Sequence, residues 1–373
     1  MKRFQYRTKL IAKPLDKTCA IRYTSFWNRF HIEEDRETAM ATIADIAAKA
    51  GVGVGTVSRV LNNNPAVSEK TRSRVLAVMH ELDYHPSHLA QGLSRGRTFT
   101  VGVIAPFFTH PSVVERLRGI VESLRVSQYD LVLFNVDSPA QRAEYFQTLM
   151  RRDRADGFII ISLPMQDDEV ARFRHAAIPL ALIDVAHTDL PYVIIDNIAG
   201  GRMAAQHLLD LGHRRIAFVG DHHRNAYGFT ASRDRCQGFL DALTAAGVAT
   251  PATYRKEGQH DRHIAHRLTT ELLALPERPT AIFAASDTQA LGVIEAAQAA
   301  GLTIPGDLSV IGFDDIEVAP YVGLTTIRQP LYQSGARGAT LLLDVLSDAT
   351  PDVPHEVLPL ELVVRRTTSP LAH

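Results

Sequence analysis

At 373 residues, 46% hydrophobic content and a formal net charge of −1, the chain has an ordinary globular composition with room for two or three domains. No apolar run approaches the roughly 20 residues of a membrane helix and no secretory signal opens the sequence, so membrane insertion is excluded and a cytoplasmic location is expected. Cys19 and Cys236 lie too far apart in sequence to suggest a disulfide framework or a zinc site.

In chain order, residues 1–39 come first and fit nothing that follows. Basic residues and aromatics alternate there without helical or strand periodicity, and a charged run ends the segment just before Met40. The expectation is an upstream, mis-assigned start or a disordered arm, with a basic arm that touches phosphates as the alternative.

The next stretch, Thr42 to Val75, carries the strongest local signal. Thr42 and Asp45 form a capping box, and Ile43, Ile46, Ala47 and Ala50 line one face of a short helix. Gly51 to Gly53 breaks that helix. A second runs from Val54 to Leu61, burying Val57, Val60 and Leu61 and leaving Val54, Gly55, Thr56, Ser58 and Arg59 outward. A third starts at Ser68, with Val75, Leu76, Met79 and Leu82 at core spacing, and stops before Tyr84, His85 and Pro86. This is a helix-turn-helix followed by a third helix, and it points to DNA. Between Thr42 and Arg97, Lys49, Arg59, Lys70, Arg72, Arg74, Arg95 and Arg97 outnumber Asp45, Glu69, Glu81 and Asp83, the local excess that phosphate contacts require. A small helical subdomain that only packs, or that binds protein, is the plain alternative.

From Phe99 onward, β-rich runs alternate with amphipathic helices. Strands are expected at Thr100–Ala105, Leu131–Asn135, Gly157–Ser162, Leu180–Asp184, Val193–Asp196, Ile216–Gly220, Ile282–Ala285 and Ser309–Phe313. Helices are expected at Val113–Val126, Gly200–Leu211, Arg233–Ala246, Ile264–Leu275 and Thr288–Ala300, among others. Continuous Val/Ile/Leu runs bounded by helices mean parallel strands covered on both faces, here in two comparable halves. A ligand in such folds sits beyond the carboxyl ends of the strands, where the lobes face each other. Those ends carry Asp184, Asp196, Asn197, Ser286, Asp287, Asp314 and Asp315, and Arg235 lies early in a helix beside them. Carboxylates and a guanidinium, with Phe107, Phe108, Tyr227 and Phe229, suit a polyhydroxylated ligand. Taken singly, each acidic residue also reads as a helix N-cap.

No phosphate-binding glycine loop, HExxH or CxxC spacing, or nucleophile elbow occurs, so no catalytic residue, cofactor or resident metal is assigned. His260, His263 and His266 have i, i+3 spacing but read more simply as a solvated helix face. The chain reads as a binder, not an enzyme.

The headpiece MATIADIAAKAGVGVGTVSRVLNNNPAVSEKTRSRV, with DNIAGGRMAAQHLLDLGHRRIAFVGD, SRDRCQGFLDAL, PTAIFAASDTQALGV, IPGDLSVIGFDD and LTTIRQP, resembles the lactose-repressor and galactose-repressor family of bacterial transcription regulators from Met40 to about Thr368. The resemblance implies an α/β protein: an all-α headpiece (40–85), a hinge (86–98) and a periplasmic-binding-protein-like core (99–373) of two doubly wound parallel-sheet lobes. Lobe 1 is expected at about 99–196 and 326–355, lobe 2 at about 197–325 and 356–368. It also implies a homodimer on a palindromic double-stranded operator, whose affinity is set by a small effector. A sugar or sugar derivative is expected; a purine or other metabolite is the alternative, and an enzyme of sugar or nucleotide metabolism the remote one. The chain ends without a heptad helix, so nothing beyond a dimer is expected.

Carried over by position, the DNA-contacting set is Thr42, Val54, Gly55, Thr56, Ser58, Arg59 and Asn62, with Arg59 the candidate for a guanine. Ser87, Ala90 and Leu93 belong to a hinge that drives Leu93 into the minor groove as an apolar wedge. Val54 and Gly55 replace larger polar residues, so direct readout there is expected to be thin. On the effector side the resemblance points to Arg235 and Asp314, then Asp184, Ser286 and His260, with Phe107 and Phe108 on a first-lobe loop, APFFTHPSV, that departs from the family pattern.

Overall fold

The computed structural model describes residues 41–61, 64–84, 97–151, 153–347, 349 and 355–371. The arm at 1–39, Asn62, and the hinge residues Ser87, Ala90 and Leu93 lie outside them. The chain divides into two compact units, residues 1–87 and 88–373.

In the first unit, α1 (Ile43–Ala50), α2 (Val54–Leu61) and α3 (Glu69–Glu81) share one small core. Thr42 caps α1 by accepting from the Asp45 amide, while the Asp45 carboxylate accepts from the Thr42 amide at 2.8 Å. Gly51 ends α1 at φ 62°, a left-handed cap that a Cβ would strain. Ile46, Ala47, Ala50, Val57, Val60, Val75 and Met79 are buried. Leu76 differs from expectation: it is 50% exposed, and Val78 packs against the core beside Met79 and Leu82. The cause is phase, because α1 and α2 meet α3 along the Val75–Met79 line, one position away from Leu76.

The second unit holds two six-stranded sheets. Lobe 1 contains β1 (Thr100–Pro106), α4 (Pro111–Leu124), β2 (Asp130–Val136), α5 (Pro139–Thr148), β3 (Gly157–Ile161), α6 (Asp167–His175), β4 (Leu180–Ile183) and β5 (Tyr192–Ile195). Lobe 2 contains α7 (Asn197–Asp210), β6 (Ile216–Asp221), α8 (Ala231–Ala245), β7 (Arg255–Gly258), α9 (Arg262–Leu273), β8 (Ala281–Ala284), α10 (Asp287–Ala299), β9 (Ser309–Asp314), α11 (Ala319–Val322) and β10 (Thr325–Arg328). The chain then supplies α12 (Leu331–Leu346) and β11 (His355–Leu358) to lobe 1 and β12 (Glu361–Val363) to lobe 2. Sheet orders are β11-β5-β4-β3-β1-β2 and β12-β10-β9-β8-β6-β7.

The chain therefore crosses back into lobe 1 after Arg328 and returns to lobe 2 after Leu358, a few residues later than the sequence suggests. All pairings are parallel except β10–β12. Both sheets point their carboxyl ends at the cleft, so a strand that leaves lobe 1 at β11 and enters lobe 2 directly must run away from the cleft. The strands missed in the sequence, β7, β10, β11 and β12, are short; three of them are sheet edges whose polar residues break any apolar run.

One continuous apolar core runs through both lobes, and each sheet has a further core on its opposite face. Glycines let two helix pairs touch backbone to backbone. A Cβ on Gly119 would overlap the Tyr332 carbonyl oxygen, and one on Gly335 that of Arg116, locking α4 to α12. In lobe 2, Gly201 meets the Arg235 carbonyl and Gly238 that of Ile198, locking α7 to α8.

Candidate functional site

On the headpiece, the second helix turns its polar side outward because Val57 and Val60 claim the inward positions. Val54, Gly55 and Arg59 are exposed, Thr56 and Ser58 half-buried, and Thr42 stands exposed at the start of α1. Arg59 occupies the last turn of α2. Space beside Gly53 and Gly55 is open, so backbone is presented there where larger side chains would otherwise stand. Two of the counted cations serve the fold: Lys49 pairs with Glu81 at 2.7 Å, and Arg72 donates to the Asn64 carbonyl at 2.8 Å, fastening the turn after α2.

In the core, a cleft between the lobes encloses about 930 Å³ of empty space, open solvent at its mouth included. Asp184, Arg235, His260, Ser286, Asp314 and Phe107 line it. Phe108 does not: it is 41% exposed. Positive φ at Phe107 turns the chain, and the Phe108 amide donates to Asn135 Oδ1, which sends its ring outside.

Arg235 is 6% exposed, and its Nε and Nη1 are both hydrogen-bonded. Its Nε donates to Asn197 Oδ1 at 2.8 Å and its Nη1 to the Ala285 carbonyl at 2.7 Å; Asp314 Oδ1 lies 3.5 Å away and the guanidinium stacks 3.6 Å over Phe313. Burial raises the Asp314 carboxyl against the opposing pull of Arg235 and the bond from Gln329. Behind it, burial and then the charge of Asp314 lift Asp287 well above the carboxylate range, while Asp287 accepts from Thr326 Oγ1 and the Ile316 amide. Asp287 is thus a structural residue, and Asp196 an N-cap of α7. Ser286, 2% exposed, caps α10 through the Gln289 amide, so its hydroxyl is already in use at the cleft wall.

Lobe 1 contributes residues that the sequence did not reveal as a set. Arg116, on the inward stripe of α4, reaches Asp184 at 3.3 Å and donates to Gln329 Oε1 at 3.1 Å. Ser162 donates to Asp184 at 2.7 Å. Gln329 in turn donates to Asp314, so one polar chain joins the lobes where the polypeptide crosses. The signal for Arg116 was available: an arginine at the apolar positions Val113, Arg116 and Ile120 of an amphipathic helix must be paired.

At the mouth, rings from both lobes meet. Phe107 stacks on His110 at 5.1 Å and meets Tyr227 edge-on at 5.3 Å, and His110 lies 5.1 Å from His260. Tyr227 donates to the Asp137 carbonyl across the gap at 2.7 Å and stacks on Phe229. His260 precedes α9 and lines the cleft, so it is no part of a solvated helix face; it hydrogen-bonds Asp221 at 3.2 Å, and although burial would lower its pKa, Asp221 and Asp314 prevail and raise it. Burial, and then His260, push His110 down to about 4. Among the described residues no three His, Cys, Asp or Glu side chains converge as a metal set.

His110 makes a testable demand. Its folded pKa lies below the ordinary 6.5, so the stability it contributes is present above pH 6.5 and is lost as pH falls from there toward 4. The core should melt at lower temperature at pH 5 than at pH 7, and His110→Phe should flatten that difference. An unchanged pH slope in the variant would place the acid sensitivity elsewhere.

Comparison with known proteins adds to this geometry. Residues 42–87 match the model for bacterial regulatory proteins of the lacI family, and 205–368 that for a periplasmic binding protein-like domain. The chain is similar to catabolite control protein A of Priestia megaterium, 34% identical over 88% of this chain and 99% of the relative. It is also similar to the transcriptional repressor PurR of Erwinia tasmaniensis, 33% identical over 88% and 97%. Among solved structures, the lac repressor dimer bound to operator and the anti-inducer ONPF superposes with TM-score 0.76 at 29% identity, over 89% of this chain and 99% of that one. The complex of the regulator CelR with cellobiose gives 0.65 at 32%, over 88% and 99%. Among the described residues no helix is long and apolar enough to cross a membrane.

Proposed function

The chain belongs to the lacI family of bacterial regulatory proteins, and from that premise we propose that it is a dimeric, sequence-specific repressor released from or held on its operator by a small molecule in the interlobe cleft. The observation that carries the first half is the outward face of α2, with Arg59 free of the core and backbone exposed at Gly55. Arg59 reads a guanine by two parallel hydrogen bonds, Val54 touches a thymine methyl, and Thr42, Thr56, Ser58 and Asn62 add contacts nearby. Ser87, Ala90 and Leu93 supply the minor-groove element. The second half rests on Arg235 and Asp314 in a cleft rimmed by aromatic rings. The effector is a sugar or sugar derivative. A purine is the second reading, favoured by the aromatic rings of Phe107, His110 and Phe229 along the cleft, whose faces suit a planar base. The cleft binds without transforming its ligand, and the protein works in the cytoplasm, where its DNA is.

The effector can move the operator equilibrium only by its difference in affinity for the two lobe arrangements. The test is a selection of bound duplexes from a random pool, followed by titration of the best site with and without candidate ligands. Arg59→Ala should cost about 1–3 kcal/mol against the selected site and little against random DNA. Leu93→Ala should likewise spare random DNA. A pool that yields no preferred palindrome would end the operator reading.

A further inference from the structure

The loop between β6 and α8, residues 222–230, begins and ends on lobe 2 but seats its aromatic rings on lobe 1. Tyr227 and Phe229, stacked on each other at 5.0 Å, pack against the apolar core of lobe 1 that holds Phe146, Phe158 and Phe173. Tyr227 also meets Phe107 edge-on and donates its hydroxyl to the Asp137 carbonyl at 2.7 Å. A Cβ added at Gly228 would stand 3.6 Å from Pro164 Cγ, so the loop backbone itself passes lobe 1 at van der Waals distance. Phe107, Asp137 and Pro164 lie just beyond the carboxyl ends of β1, β2 and β3, so the loop spans three neighbouring turns of lobe 1.

The loop holds its shape by its own bonds. Asn225 Oδ1 accepts from the Tyr227 and Phe229 amides at 3.2 and 2.9 Å, and its Nδ2 donates to the Phe229 carbonyl at 2.9 Å. The Gly228 amide donates to the Asn225 carbonyl, and Gly228, at φ 78°, supplies the left-handed turn between the two rings. At the base, Glu257 accepts from the His223 amide at 3.0 Å and Ser232 from the Asp221 amide at 2.8 Å, tying both ends to lobe 2. A loop ordered in advance loses little entropy on seating, which leaves the burial of two rings to favour the seated state.

We propose that residues 222–230 are a clasp: they hold the two lobes together at the mouth, and small molecules reach the cleft only when Tyr227 and Phe229 lift from lobe 1. Asn225 and Phe229 form part of the cleft wall, whereas Tyr227, the residue bonded across the gap, does not line it. The clasp therefore governs how fast the cleft exchanges its contents, whichever ligand it takes.

Access is measured on the full chain with a small thiol reagent, iodoacetamide, as the probe. Ser112→Cys places a thiol on the cleft wall of lobe 1, at the start of α4. Cys19→Ser removes the thiol of the arm, and Cys236, 1% exposed and with its thiol pushed up by burial to about 12, reports unfolding. Adding Tyr227→Ala or Asn225→Ala should speed labelling of the introduced thiol about tenfold or more, while Cys236 stays unlabelled. Tyr227→Phe keeps the ring and loses only the bond to Asp137, so it opens no gap in the wall; it should speed labelling about threefold.

Equal rates in all the variants would overturn the clasp, as would an introduced thiol that reacts as fast as free cysteine before the loop is altered. Acceleration in Tyr227→Ala alone, with Asn225→Ala and Tyr227→Phe unchanged, would make the tyrosine a plug in the mouth and no part of a moving clasp. Labelling of Cys236 in step with the introduced thiol would show that the loop holds the fold and would overturn the proposal too. Gated labelling in a protein that binds neither sugars nor purines would end the effector reading and leave the clasp standing.

Discussion

Arg235→Ala should destabilise the core by about 3–5 kcal/mol and abolish stabilisation by any cleft ligand. The substitution removes the cation that lies 3.5 Å from a buried carboxylate, together with bonds to Asn197 and Ala285 and a guanidinium packed 3.6 Å over Phe313. Asp314 is then left buried without its nearest cation, held by Gln329 and with Asp287 close behind it, and both carboxyls are already raised by burial. Much of the cost comes from this abandoned carboxylate, so Arg235→Met combined with Asp314→Leu should recover part of it, because a buried pair replaced whole by apolar groups is often neutral. Thermal unfolding of wild type, single and double variants, with and without a binding sugar, checks both points. A wild-type ligand at a hundredfold excess over its Kd should add about 2.7 kcal/mol, and none of it should survive in the single variant. A single variant as stable as wild type would mean that the pair carries no load.

Gly238→Ala should be the next most damaging change, against the usual rule. Alanine normally improves a helix interior by about 1 kcal/mol over glycine. Here the new Cβ would run into the Ile198 carbonyl and crowd the Arg202 amide, which are backbone atoms with no rotamer to escape into. α7 and α8 would have to part, at a cost of at least the 1–3 kcal/mol typical of overpacking. The displacement falls three residues from Arg235, so ligand affinity should drop along with stability. Gly55→Ala on α2 is the control: nothing lies within 4 Å of its new methyl, and the headpiece should melt higher. Calorimetry on both variants settles the contrast, and a stabilised Gly238→Ala protein would show that the helices have slack at their crossing.

The sequence was most legible where structure is local. Thr42 with Asp45, the break at Gly51 and the buried Val57 and Val60 were all readable, because capping and 3.6-residue periodicity are settled within a few residues. The long apolar strands were equally plain. What escaped depends on distant partners. Leu76 carries an apolar side chain at nearly the right spacing, and only the approach of α1 and α2 decides that Val78 takes part instead. β11 and β12 are recognisable as strands only beside β5 and β10. In the cleft, Asp184, Arg235 and Asp314 announced themselves as charges at strand and helix ends, whereas Gln329 acquired meaning only when the chain crossing placed it between Arg116 and Asp314. Phe108 illustrates the opposite error: two adjacent aromatics cannot both face one cleft when the first turns the chain.

The late arrival of α12 and β11 also sets an order of events on the ribosome. Lobe 1 begins first, but its outer strand and the helix covering β3, β4 and β5 are encoded after all of lobe 2 except β12. Lobe 2 can therefore close its sheet from β6 to β10 while lobe 1 still waits, with β5 unpaired at its edge and the apolar stripe of α4 uncovered. A nascent chain stopped before Leu358 would carry that open edge into the cell, a surface suited to pairing with other chains. The half begun first thus stays open until the chain is nearly complete, and premature termination before β11 should yield insoluble protein in place of a trimmed regulator.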